Sequence, residues 1–567
     1  MRQLSRVISF CLLFTSLVAC TPVSSLDDSA SHSSLDEVSS QIPSVTSEDE
    51  TLFKQVHVPT LPEGTTLYEP ATLFIDEVSV PLLNVKVNNT HFFAFPEPVR
   101  IDSGYARLFM RGRIEFTLVT NYDITAATKV YPSQFNIMPL HDLAARTIRF
   151  TIYEPGVYMI EPNDDPSLAI QLRIYDISEM TTLDKIIDSY PNHEVIYFGP
   201  GTHSRDNSTL IDTNHFIHLS SNQVLYIDEG AIVYARVKGN FVENVVIAGH
   251  GIISGDRFSR SDTLVPLDFV KSSNISINHI SIIDPAAWTL NLYFVENSSI
   301  YGVNIISSRA NGDGITIQSG KNIIVENVFV RSFDDALVVK NYAYPYGNTD
   351  RNTHGSTENI TFRNAYLWVD LAQAMEIGYE TAGLVINDVV FENITIFHAF
   401  HKPVISIHNS NYADVNRAIY RSITVENLQT GRGDAGSNNE LIDIKSTYST
   451  VFGDKAVGPT EVGNVIDLEV SNVLVKRKDN GNNAKITIHG QRDNRIDFLN
   501  RISLVDGVTL SHLTVINDNI GSDYGYLNIN EYVSGLNIIE GKASGHLIER
   551  RYTSEQLNQL FDPVTFI

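Results

Sequence analysis

One short template recurs along the middle of this chain, and it limits the possible folds more than any other feature. Asn274 to Ile282 reads Asn-Ile-Ser-Ile-Asn-His-Ile-Ser-Ile, and Asn322 to Val330 reads Asn-Ile-Ile-Val-Glu-Asn-Val-Phe-Val. Asn359 to Leu367 and Val389 to Ile396 repeat the pattern. Self-similarity every few tens of residues marks units that bury their apolar faces by stacking. Within each unit β-branched residues alternate with others, which sends successive side chains inside and outside a wall, and Asn tolerates the left-handed corner between walls. These units lack the paired Asn-Gly turns of hairpins. The template predicts a right-handed parallel β-helix.

At 567 residues the chain exceeds one compact core, so a second body is expected. From Leu52 to Ile177 short alternating strands broken by turn residues, such as Ala106 to Arg111 and Thr147 to Tyr153, predict an N-terminal β-sandwich over residues 51–180. A linking helix is expected at Leu183 to Ser189, and the β-helix over 181–567. Ser554 to Leu560 reads as a helix that caps the last coil, whose open backbone edge must be hidden. The fold class is all-β.

The first residues carry Arg2 and Arg6 and then an apolar run from Val7 to Ala19, too short for a membrane span and laid out as an export signal. The run closes on Leu17-Val18-Ala19-Cys20, which resembles the lipobox of bacterial lipoproteins. That resemblance implies removal of residues 1–20, lipidation of Cys20, and anchoring at the bacterial cell surface or outer membrane. Residues 21–50, rich in Ser, Asp and Glu, suit a disordered tether. The other cysteine, Cys11, lies inside the signal, so the body has no disulfide and no cysteine metal site. No metal-ligand spacing occurs, and no cofactor is expected. A formal net charge of -25 argues against nucleic acid as a partner. A monomer is expected.

The chemistry lies in Asn311-Gly312-Asp313-Gly314-Ile315 and, one coil later, Ser332-Phe333-Asp334-Asp335-Ala336. Adjacent coils of such a solenoid lie about 4.8 Å apart, so Asp313 and the Asp334–Asp335 pair should converge on one surface. Crowded carboxyls raise one another's pKa and supply the acid and base of glycosidic cleavage. Either motif alone reads more readily as turn chemistry or a calcium site.

In this order inside a β-helix, the two motifs resemble the polygalacturonase and dextranase clan, glycoside hydrolase families 28 and 49, on the pectin-lyase-like solenoid. The likeness spans Val195 to Leu428. It implies inverting hydrolysis of a polysaccharide, with Asp334 as acid and Asp313 and Asp335 activating water. Family 28 continues with a Gly-His-Gly segment and an Arg-Ile-Lys segment that binds a uronate. Here the corresponding coils read Ala372-Gln373-Ala374-Met375-Glu376-Ile377-Gly378-Tyr379 and Val404-Ile405-Ser406-Ile407-His408-Asn409. Without those cations a neutral sugar is favoured. Glu376 to Tyr379 resembles family 49, where a coil ends in Gly and an aromatic, which implies an α-glucan such as dextran.

Gln373, Glu376 and His408 are candidates for sugar hydroxyls, and Trp288, Tyr342, Trp368 and Tyr379 for stacking platforms. His354, in a long excursion between coils, is a candidate to reach over the groove, whereas His250 reads as structural. Three alternatives stay open. One is a polygalacturonase-like enzyme using Arg309, Arg331 or Lys340 for a uronate. The others are a non-catalytic surface glycan binder and a polysaccharide lyase, although no Lys or Arg base stands beside the aspartates in sequence.

Overall fold

A computed structural model describes residues 54–89, 99–259, 265–342, 351–429, 440–449, 461–477, 484–494, 501–515 and 527–539. The export signal with Cys20, the tether, and the expected cap at Ser554 to Leu560 lie outside the described residues.

The N-terminal strands form a β-sandwich. Ala71–Ile75, Val78–Val80, Ile114–Thr120, Leu140–Asp142 and Thr147–Ile152 make a five-stranded antiparallel sheet. A six-stranded sheet is built around Arg100–Arg111, Gly156–Glu161 and Ile170–Asp176. Ile114–Thr120 buries alternate residues, as a strand with one covered face does. Arg100–Arg111 instead is buried continuously from Gly104 to Met110, because its second face is also covered. Its Leu108 and Met110 meet Phe116 and Ile148 inside the sandwich. Across the sheet, Tyr105, Val85 and Met159 pack on Ile283, Phe329 and Trp368 of the β-helix. The helix between the two bodies spans Leu183–Ser189, with Thr182 Oγ1 accepting from Lys185 N.

From Glu194 onward the strands, apart from the antiparallel pair Gln491–Asp493 and Arg501–Ser503, run parallel and stack into the three walls of a right-handed β-helix. Lys321–Glu326, Phe329–Ser332 and Leu337–Asn341 are the walls of one coil. The first two walls join into a 19-stranded sheet, and the third is an 11-stranded sheet. The asparagines of the template stand at the corners. Asn274, Asn322, Asn359 and Asn393 have φ of 55°, 54°, 56° and 53°. Their amides bond from coil to coil, Asn322 Nδ2 to Asn297 Oδ1 and Asn359 Nδ2 to Asn322 Oδ1 at 2.9 Å each. Inside, one apolar column of mainly Ile, Val and Leu runs from Phe198 to Leu536.

Candidate active site

The third wall positions the site. Ile315, Leu337, Met375, Ile405 and Ile442 occupy one inward row on successive coils. Just upstream, the entry turns stack in the same order. Thr289 N donates to Asp313 O at 3.1 Å, Gly314 N to Asp335 O at 2.8 Å, and Ala336 N to Gln373 O at 2.9 Å. Asp313, Asp335 and Gln373 therefore follow one another on adjacent coils, with Asp334 beside Asp335 as the motif spacing predicts.

Asp313 is 2% exposed and its Oδ1 has no hydrogen-bond partner. Burial, then the charges of Asp334 and Asp335, hold its pKa well above the carboxylate range. Asp335 is raised likewise by burial, Asp334 and Glu376, while its Oδ1 accepts from Gln373 N at 3.0 Å. Asp334 is the most open of the three. Burial raises it, opposed by Lys340 and by the backbone N–H groups of Asp335 and Asn311. Three carboxyls that each resist ionisation hold their protons to higher pH than free carboxylates do, the condition for one of a coupled set to act as an acid.

The outward row of this wall is polar yet buried: Lys340 is 5% exposed, Glu376 0% and Asp443 2%. Lys340 Nζ lies 3.2 Å from Glu380 and 5.0 Å from the centre of the Trp288 ring. Burial alone would lower the Lys340 pKa, but Glu380, Asp313 and Asp335 outweigh it and raise it. Further along, His408 Nδ1 is 2.9 Å from Glu376 Oε1, and His408 Nε2 is 3.0 Å from Asp443 Oδ2. Gly378, at φ 121°, passes so close to His408 O that a Cβ would lie 2.2 Å from it. Only glycine fits there. The tight passage leaves Tyr379 lying flat on His408, ring centres 4.1 Å apart and 2° from parallel. Gln373 Nε2 donates to Tyr379 Oη at 3.2 Å, tying the ring back to the aspartate turn.

Of the residues singled out in the sequence, Asp313, Asp334, Asp335, Gln373, Glu376, Tyr379 and His408 fall on this wall, and Trp288 joins them through Lys340, but Glu376 and His408 are buried and bonded to each other and so do not offer themselves to sugar hydroxyls as expected. Trp368 does not. It is 0% exposed beneath the sandwich, stacked on the Arg331 guanidinium at 3.9 Å and donating to Asp370 Oδ1 at 2.9 Å, so no sugar can reach it. His354 is also closed off, at 1% exposure, and stacks with Tyr342 at 5.9 Å instead of reaching over a groove. Tyr342 itself stays partly open. Two of the three cations offered for a uronate are engaged elsewhere. Arg309 pairs with Asp284 at 3.0 and 2.7 Å, and Arg331 lies under the sandwich beside Trp368. His250 is buried against Phe109, Tyr175 and His279.

Sequence reading missed Glu380, Asp443 and Lys445. Strict alternation in Leu441-Ile442-Asp443-Ile444-Lys445 turns Asp443 and Lys445 outward, but only the coil register brings them to Glu376 and His408.

Fold and site together define a parallel β-helix protein with a carboxylate-lined wall and an accessory sandwich. No family model matches the chain, and no curated protein matches it in sequence. Solved structures are similar to it to different degrees. Dex49A from Penicillium minioluteum is similar over 85% of this chain and 96% of that one, at a TM-score of 0.53 and 12% identity. The hyperthermoactive exopolygalacturonase from Thermotoga maritima reaches a TM-score of 0.44 at 16% identity, over 65% of this chain and 89% of its own. The family 28 exopolygalacturonase from Yersinia enterocolitica reaches 0.42 at 12%, over 76% and 94%.

Proposed function

We propose that this protein is a glycoside hydrolase that cleaves a neutral polysaccharide, an α-glucan such as dextran, by single displacement with inversion. The observation that carries this reading is the convergence of Asp313, Asp334 and Asp335 on adjacent coils, with all three pKa values raised by burial and those of Asp313 and Asp335 raised further by Asp334. The shared architecture with Dex49A supports it. Asp334, the most open of the three, protonates the leaving oxygen as the glycosidic bond breaks. Asp313 and Asp335 share one proton and one negative charge, and the ionised oxygen takes a proton from the water that attacks the anomeric carbon. Inversion requires the acid and base carboxyls about 6.5–9.5 Å apart across the sugar.

Neutral-sugar specificity follows from the charge count. Arg309 and Arg331 are engaged elsewhere, Lys340 is paired with Glu380, and His408 is held between two carboxylates. A uronate would add negative charge where carboxylates already predominate. The test is reducing-sugar release from dextran, pullulan, neutral galactans and polygalacturonate, with Asp334→Asn as control. Release from an α-glucan that disappears in the variant supports the reading, and release from polygalacturonate alone overturns the substrate. Export and anchoring through Cys20 belong to the same reading. Palmitate labelling of expressing bacteria, lost in Cys20→Ser, checks them.

A further inference from the structure

Beyond the aspartates the third wall carries a chain of charges that the displacement step does not use. His408, 5% exposed, has a carboxylate oxygen at each ring nitrogen: Glu376 Oε1 at 2.9 Å from Nδ1, and Asp443 Oδ2 at 3.0 Å from Nε2. Burial raises Glu376, opposed by His408 and Lys340; with both acids ionised each oxygen only accepts, so both nitrogens donate and the ring is an imidazolium. Lys445 Nζ closes the chain at 2.5 Å from Asp443 Oδ2. Burial by itself would lower the His408 pKa, but Glu376 and Asp443 prevail and raise it to about 9. Asp443 is correspondingly lowered: burial raises it, and His408 and Lys445 more than offset that.

A cation of this shape holds an aromatic ring. Tyr379 lies parallel to the imidazolium at 4.1 Å, where a positive charge attracts the electron-rich face of a phenol. Tyr379 stays partly open, and Gln373 links its hydroxyl to the turn whose N–H binds Asp335. The charged and titratable groups around His408 are Glu376 from the preceding coil, Asp443 and Lys445 from the following one, and the stacked Tyr379. Lys340 acts on Glu376 from the aspartate side.

We propose that His408 is a positioning residue: bridging Glu376 and Asp443, it fixes the plane of Tyr379, and Tyr379 is the floor on which a pyranose stacks beside the aspartates. This rests on the hydrolase reading and adds to it a specificity element. Its signature is an effect on substrate binding rather than on the chemical step, present while the imidazole is charged and absent once it is neutral.

The experiment compares the full chain with His408→Gln, Tyr379→Leu and the double variant, on the glycan that the unaltered protein cleaves. At neutral pH each single variant is expected to raise KM about tenfold with kcat changed by less than about threefold, and the double variant to be no worse than either. In the unaltered protein KM should rise as pH passes through about 9, and that rise should vanish in His408→Gln. Imidazole nitrogen shifts of His408 in the NMR spectrum should report a charged ring at neutral pH. A neutral ring, an unchanged KM in Tyr379→Leu, or additive variants would overturn the proposal. Should His408→Gln fail to fold, Tyr379→Leu and the pH dependence of the unaltered protein decide. If no glycan is cleaved, the hydrolase reading falls separately, and calorimetric affinities for any glycan that binds replace KM. Equal affinities then overturn the positioning role, and binding of none overturns both.

Discussion

The β-helix turns outward side chains toward two covered faces, and charge is arranged differently on each. Beneath the sandwich the outward side chains include Phe329, Trp368 and Phe397, and the buried polar groups at that interface have partners, Arg107 at the carbonyls of His250 and Glu229 and Arg173 at that of Asn327. His398 Nε2 lies 2.6 Å from Glu161 of the sandwich, and Arg331 Nε 3.8 Å from Asp370. At the entry turns of the third wall Asp313, Asp334 and Asp335 instead crowd three carboxyls together. Burial without a partner costs stability, so an interface that only holds two bodies together gives its buried charges partners. A surface that leaves like charges crowded is poised for something not yet bound.

Removing one crowded carboxyl tests that contrast most severely. Asp335→Asn keeps an oxygen for Gln373 N but deletes a charge. Because the folded pKa of Asp335 is raised, its ionisation opposes folding. Stability is lost as pH rises from the unfolded pKa through the folded one, and is recovered on acidification. The variant should therefore lower kcat about 100- to 10,000-fold on a cleaved glycan while raising Tm at neutral pH. Its Tm should also respond less to pH than that of the unaltered protein, as calorimetry across the acid range would show. A fall in Tm would mean that the aspartates hold the fold together and the contrast fails.

The reverse is expected beneath the sandwich. Trp368→Ala leaves a cavity where an indole stacked on Arg331, at a cost of about 3–5 kcal/mol. Denaturant unfolding should show that loss, while kcat of the folded fraction stays near that of the unaltered protein. A selective loss of glycan binding would return Trp368 to the site.

The two faces also show how far the sequence could be read. Alternation in the coils separates inward from outward residues, and the Asp313 and Asp334–Asp335 spacing places the acids on neighbouring turns. Both follow from local backbone geometry, as do the helix at Leu183–Ser189 and the sandwich. Alternation says nothing about what covers an outward residue. Trp288 and Trp368 read alike in sequence, but one lies near Lys340 and the other is sealed by a sheet of the distant N-terminal sandwich. Asp443 and Lys445 were illegible for a related reason. Loops of unequal length separate their coil from Glu376 and His408, so only the stacking register shows that they meet.

The corner asparagines are a third outward environment, exposed and uncharged, and they should respond least. Asn322 has φ 54° and sits mid-ladder, donating to Asn297 and accepting from Asn359. Alanine there loses both amide contacts and also places a Cβ in the left-handed region, which costs about 1–2 kcal/mol by itself. Glycine loses the contacts but adopts that φ freely, paying instead through a more flexible unfolded chain. Asn322→Ala should thus be less stable than Asn322→Gly by about 1 kcal/mol in denaturant unfolding, with kcat and KM unchanged in both. If the two variants unfold alike, the corner asparagines are held for their side-chain ladder and not for their backbone. The ladder would then join the two covered faces as a place where side-chain contacts between coils set stability.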